Sequence, residues 1–156
     1  RCDIQSNAVQ QIYIFGHTYP SSNNTYNLGN SSYRWGTLYA SNATNTSDKN
    51  LKNTITDSDL GLSFINKLRP VSYKWNQKEG ENLDTKTHYG LISQDVEETV
   101  IEIGKTLDDF GAIDKPDEGA MGLSYNEFIS PLIKSIQELS SEVETLKAEV
   151  AALKSN

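Results

Sequence analysis

The residues of this sequence whose types and spacing best suit a chemical reaction are a serine and a lysine. Both lie in the stretch TSDKNLKN, Thr46 to Asn53. A serine hydroxyl becomes a nucleophile when a base removes its proton, and a lysine amine can be that base where burial or a nearby cation lowers its pKa. Ser47 and Lys52 are five positions apart. In a helix this spacing corresponds to a rotation of about 500°, and in a strand it places the two side chains on opposite faces, so neither element brings them together. The pair therefore requires a turn, which the intervening Asp-Lys-Asn permits; the alternative is a solvated linker.

Other reactive side chains are sparse. The one cysteine, Cys2, has no partner for an internal disulfide, and the two histidines, His17 and His88, stand far apart in sequence. We interpret these two as a surface and a strand histidine, and we expect neither a metal site nor a cofactor.

The charge is unevenly distributed. The chain of 156 residues has a net charge of −7; residues 1–47 hold two bases and one acid, whereas residues 48–156 hold twelve bases and twenty acids. An acidic surface without a basic stripe argues against nucleic-acid binding. With no run of 18 apolar residues and no signal-like N-terminus, we expect a soluble chain without a membrane partner.

The first 46 residues are rich in Asn, Ser, Thr and Tyr, and contain short alternating pieces such as Ile12 to Phe15 between turn signals. This pattern predicts short strands. Because aliphatic residues are few, we expect these strands to add to a larger β structure or to copies of themselves.

Residues 54–121 predict a small α+β unit. A helix capped by Asp57 or Ser58 should bury Leu60, Phe64, Ile65 and Leu68 and end at Pro70. Strands should follow at Val71 to Trp75 and His88 to Ile92, joined by the polar stretch Asn76 to Thr87. Ser93 should cap a second helix that buries Val96 and Val100. Thr106 to Gly122 shows no period and predicts a loop or arm.

A heptad seam dominates the C-terminal region. Its apolar residues are spaced alternately by three and four, which predicts a coiled coil: Ile129, Leu132, Ile136, Leu139, Val143, Leu146, Val150 and Leu153. Glu142 and Glu149 take g positions, and Lys147 and Lys154 take e positions, which favours parallel chains. Each exposed pair contributes only about 0.2 to 1 kcal/mol, so the charges select orientation.

Two features complicate this helix. Ser124 and Glu127 resemble a capping box, but Pro131 would then lie inside the helix, so we expect a kink or a late start. β-branched residues at a with Leu at d favour two strands on coiled-coil rules alone.

Five landmarks occur in a specific order: RWGTLYAS, TSDKNLK, LRPVSYKW, YGLISQDVE and SYNEFISPLIKSIQELSSEVETL. Together they resemble the intramolecular chaperone and auto-processing domain at the C-terminus of phage endosialidase tailspikes, tail fibres and neck appendages, peptidase family S74. The resemblance covers about residues 33–146.

The resemblance implies a homotrimer in which the domain assembles a β-rich fibre and then cuts itself off. It maps the catalytic pair onto Ser47 and Lys52 and the severed bond onto Ser47–Asp48. It divides the chain into a fibre end (1–47), an α+β chaperone domain (48–123) and a parallel trimeric coiled coil (124–156). It also implies assembly in the host cytoplasm, with the fibre part going to the virion and the chaperone part released. The implied trimer replaces the dimer that the seam alone favours.

Two other functions fit the residues. The first is a trimerisation or chaperone module that never cuts, with TSDKNLK as a hinge. The second is an adhesin whose Tyr33, Trp35 and Tyr39 bind a host glycan, although such aromatic side chains also pack the strands of a fibre end.

Overall fold

The computed structural model describes residues 14–76 and 85–155. Cys2, Ile12, Tyr13 and most of the predicted turn between the two strands lie outside these ranges. The described chain contains three α-helices and two antiparallel hairpins. The α+β class is therefore confirmed.

Helix α1, Leu62–Ile65, and helix α2, Ser93–Glu102, flank the first hairpin in sequence. In that hairpin, β1 (Val71–Tyr73) pairs with β2 (His88–Gly90), with Val71 opposite Gly90 and Tyr73 opposite His88. Strand β3 (Ile113–Asp114) pairs with β4 (Gly122–Leu123) in the second hairpin, and helix α3 spans Ile129–Lys154.

The core is a cluster of apolar side chains from α1 and the segment just before its start, from α2, from the segment between α2 and β3, and from the turn before α3. Its three phenylalanines form a chain of edge-to-face contacts, with ring centroids 5.3 Å apart for Phe64 and Phe110 and 5.2 Å apart for Phe110 and Phe128. The buried members are Leu60, Phe64, Val96, Val100, Phe110, Ala112 and Phe128. The predicted burial of Leu60, Phe64, Val96 and Val100 is confirmed, and Ile65 and Leu68 pack against the cluster.

The predicted caps are wrong. Helix α1 begins after Gly61, and the Ser58 hydroxyl donates to the Leu60 carbonyl and does not cap the helix. Helix α2 is preceded by Ile92, so Ser93 is its first residue. At Ser124 no side-chain cap bond forms, and a short 3-10 helix, Tyr125–Phe128, precedes α3.

The late start of α3 that Pro131 required is confirmed. Pro131 is the third residue of the helix, where a backbone N–H has no intrahelical partner, so the missing donor costs little. The proline is buried against the domain together with Ser135.

Two segment predictions differ from the structure. Residues 14–46 contain no helix or strand in the single chain, and their large side chains are exposed, because a strand needs a hydrogen-bonding neighbour that the described part of the chain does not provide. The predicted loop from Thr106 to Gly122 instead contains a 3-10 turn, Leu107–Asp109, strand β3 and two core residues.

Candidate functional site

A short turn brings the predicted serine and lysine together. Asp48 begins a 3-10 helix, Lys49–Leu51, and its carboxylate accepts a hydrogen bond from the Asn50 N–H at 2.8 Å. The N–H of Lys52 closes the turn on the Lys49 carbonyl at 3.2 Å. Lys52 Nζ then donates to Ser47 Oγ at 2.8 Å. The predicted turn is confirmed, and the catalytic role of the pair stays a prediction.

The pair is open to solvent. Ser47, Asp48 and Lys52 are all exposed in the single chain. Asp48 and Lys52 border an open pocket of about 680 Å³ whose wall consists mainly of amide and hydroxyl side chains. The described residues lining it are Asn23, Asn24, Thr44, Asn45, Thr46, Asp48, Leu51 and Lys52. The segment upstream of the serine therefore forms one wall of the site.

Thr54, two residues after the lysine, has a left-handed backbone with φ of +49°. Such a conformation is an outlier for a β-branched residue and costs of order 1–3 kcal/mol, which the surrounding structure must offset. Its hydroxyl donates to the Asn53 side chain at 3.3 Å. Sequence reasoning did not single out Thr54, since nothing in its type favours this conformation.

The start of α1 is hydrogen-bonded to Glu138 of α3. The Leu62 N–H, at the start of α1, donates to Glu138 Oε2 at 2.7 Å. A side chain on Gly61 would overlap the Glu138 carboxylate. This contact lies on the same side of α3 as the buried Pro131 and Ser135, which leaves the heptad seam uncovered.

All eight seam residues lie on α3, and the single chain leaves each of them between 45 % and 76 % exposed. From Leu139 onward every described residue of the helix is exposed. Lys147 bonds Glu144 of the same helix at 2.8 Å, so the predicted pairing of Lys147 with a neighbouring chain must compete with this contact.

The remaining candidate residues are not gathered into a site. Tyr33, Trp35 and Tyr39 are 80 %, 66 % and 94 % exposed, as a glycan-binding surface and a packing surface would both require.

His88 lies in β2 and stacks on Tyr73. Within the described ranges, no cluster of His, Cys, Asp and Glu could hold a metal. The same residues include no helix long and apolar enough to span a bilayer.

Comparison with known proteins gives one family match. The model of the family Peptidase S74, chaperone of endosialidase, matches residues 47–105. The matched region begins at Ser47 and ends after α2. No curated protein matches the chain.

Proposed function

Because residues 47–105 belong to the chaperone of endosialidase family, Peptidase S74, we propose that this chain is a C-terminal intramolecular chaperone that trimerises, folds a phage fibre or spike and then releases itself. The family supports the chaperone role directly. The observation that carries the self-cleavage is the 2.8 Å contact between Lys52 Nζ and Ser47 Oγ. During assembly in the host cytoplasm, residues 1–47 are the end of the fibre that enters the virion.

Trimerisation would shield the exposed Ser47 and Lys52 from water. A lysine is an effective base only when its amine is unprotonated, and burial away from water favours that state. The pair is exposed in the single chain. Neighbouring chains that cover the pocket would exclude water from it, so cutting would follow correct assembly.

The seam is the surface that joins the chains. Its eight exposed apolar side chains form a stripe that α3 does not bury against its own domain. Parallel packing of three such helices buries the stripe, and the domain attached to each helix can decide between two and three strands where the a and d residues are marginal.

The severed bond joins Ser47 to Asp48. Attack by Ser47 Oγ on its own carbonyl would close a strained four-membered ring, and attack on the preceding carbonyl would cut after Thr46. An acyl shift, a water molecule, Asp48 or a hydroxyl of another subunit are the alternatives. In the water route, Lys52 Nζ takes a proton from the water molecule, directly or through Ser47 Oγ. The water oxygen adds to the Ser47 carbonyl carbon. The Asp48 nitrogen then receives the proton as the C–N bond between Ser47 and Asp48 breaks.

Mass spectrometry of the expressed protein tests the proposal. We expect a fragment that begins at Asp48 in the wild type and in Lys49→Ala, and no such fragment in Ser47→Ala or Lys52→Ala. Lys49 is the matched control, because it lies in the same turn and its amine has no partner among the described residues. A trimer that never yields the fragment would identify a chaperone module that does not cut.

A further inference from the structure

The segment upstream of Ser47 contacts the chaperone domain far from the dyad. Ser31 Oγ donates to the Glu118 carbonyl oxygen at 3.1 Å, across 87 positions of sequence. Glu118 belongs to the connection between β3 and β4, residues 115–121, called here the hairpin loop. The chain is thus held at two places, by its covalent link at Ser47 and by this contact.

The two segments approach as closely as a glycine allows. Gly119 in the hairpin loop has φ of +101°, and a Cβ built there would lie 2.6 Å from Ser31 Oγ and 2.9 Å from Ser31 Cβ. Real Cβ atoms do not tolerate such distances, so any larger residue must displace the upstream segment. Gly119 therefore creates the space in which Ser31 lies.

The upstream partner is a turn with its own hydrogen bonds. Gly29 has φ of +86°, and the Asn30 N–H donates to the Tyr33 carbonyl at 3.0 Å. The Asn30 side-chain oxygen accepts from the N–H groups of Ser32 and Tyr33 at 2.9 and 2.7 Å. These bonds shape the turn, residues 29–33 and called here the fibre turn, from which Ser31 reaches the hairpin loop.

We propose that the hairpin loop is the docking site for the fibre turn and retains the fibre end on the chaperone after the Ser47–Asp48 bond is cut. The inference rests on the proposed function for its division of the chain. An open pocket of about 600 Å³ lies between the two segments, and Arg34 and Asp114, of opposite charge, line it from either side. One such contact is weak, but three copies in a trimer hold together with an increased effective concentration. Release is then a separate step that follows cutting.

Hydrogen exchange measured by mass spectrometry on the full Ser47→Ala chain tests the contact without any cleavage. We expect the amides of the fibre turn to exchange roughly threefold to tenfold faster in Gly119→Ala, as loss of one hydrogen bond predicts. Gly104→Ala is the matched control: φ is +81° there, so the backbone strain is similar, but a Cβ would meet nothing within 4 Å. Equal exchange in the two variants would overturn the docking site.

A second pair of variants covers the case in which Gly119→Ala misfolds. Ser31→Ala removes the hydroxyl and should accelerate exchange, whereas Ser41→Ala, whose hydroxyl has no partner among the described residues, should not. In chains with Ser47 intact, size-exclusion chromatography should show the cut fragments eluting together in the wild type and apart in Gly119→Ala. Separation at the same rate in both would refute retention. A chain that never cuts would contradict the proposed function but leave the exchange result to decide the contact.

Discussion

Ser47 and Lys52 contact each other because the residue between them that begins the turn is an aspartate. The carboxylate of Asp48 accepts the Asn50 N–H, which fixes the first residue of the 3-10 helix and directs Lys52 back towards the serine. The geometry of the pair thus depends on a cap. This cap is a common function of Asp and needs no special surroundings.

Two substitutions at Asp48 separate its role as a cap from a role in the chemistry. Asn retains the side-chain oxygen that accepts from Asn50, so Asp48→Asn should cut at close to the wild-type rate. Asp48→Ala loses the cap, worth about 0.5–2 kcal/mol, and should cut roughly 2- to 30-fold more slowly. The measurement is the rate at which the shorter fragment appears by mass spectrometry. Equal loss in both variants would instead indicate attack by the Asp48 carboxylate.

The exposed ion pair between Asp59 and Lys105 makes stability depend on pH. The hydrogen bond from Lys105 Nζ, 2.6 Å long, lowers the pKa of Asp59 below its ordinary value, and the same bond raises the pKa of Lys105. A lowered carboxyl pKa stabilises the fold above about pH 4, the unfolded value, and this stability is lost as pH falls through the folded pKa.

Asp59→Asn tests this dependence. We expect a small loss of stability at pH 7, since both groups are near the surface, and a smaller difference from the wild type at about pH 2, because protonation of Asp59 weakens its pairing with Lys105. Urea midpoints at the two pH values provide the measurement. Asp57→Asn, at a residue without a described partner, should show no such pH dependence. A difference for Asp59→Asn that persists unchanged at pH 2 would contradict the assignment.

At the scale of elements, the Tyr125 hydroxyl connects the end of β2 to the 3-10 helix that precedes α3. The Leu91 N–H donates to Tyr125 Oη at 2.9 Å, and a Cβ on Gly90 would lie 2.5 Å from the same oxygen. Gly90 is therefore required by a close approach and not by its backbone angles.

A double-mutant cycle measures this contact. Gly90→Ala should destabilise by about 1–3 kcal/mol through overpacking, and Tyr125→Phe by about 1 kcal/mol through the lost hydrogen bond. In Tyr125→Phe the clashing oxygen is absent, so adding Gly90→Ala should cost clearly less than it does alone. Denaturant unfolding of the four proteins gives the coupling, and strictly additive effects would show that the Tyr125 hydroxyl does not limit the space at Gly90.

The sequence predicted those elements whose signal is local. Val96 and Val100 are four apart on a helix and are buried, and Val71 and Tyr73 alternate with polar residues in β1. Phe110 and Ala112 were missed because they lie in an acidic segment and are buried only through contacts with distant residues such as Phe64. The predicted caps were wrong because several Ser and Asp residues near each helix start could act as the cap. Tertiary contacts, such as the hydrogen bond between Glu138 and the Leu62 N–H, determine which residue begins the helix.

For the candidate site, the sequence supplied the pair and the need for a turn, and the structure supplied the contact. The left-handed Thr54 and the approach of Ser31 to Gly119 could not be predicted, because the first is a strained conformation and the second joins residues far apart in sequence. Strands in residues 14–46 were predicted from alternation, yet alternation specifies only a preference, and pairing needs neighbours.

On the scale of the whole molecule, the proposed trimer couples three regions that are otherwise separate. The dyad is exposed, the seam is exposed, and the fibre turn lies on the hairpin loop. Association along the seam would place three such domains around one axis and bring three copies of the upstream segment together. Cutting and retention would then both report on assembly.

A charged residue in the seam tests this coupling. Leu146→Glu places three carboxylates at the centre of a parallel trimer, where burial of unpaired charge is costly, and should give monomers by sedimentation. Ser141→Glu adds the same charge to the outer side of the same helix and should remain trimeric. Leu146 and Ser141 are both exposed in the single chain, so neither change disturbs the core of the domain. Because cutting is proposed to require burial of the dyad by neighbouring chains, Leu146→Glu should also abolish the fragment that begins at Asp48, whereas Ser141→Glu should retain it. Monomers that cut at the wild-type rate would show that one chain alone activates Lys52 and would separate the protease from the assembly.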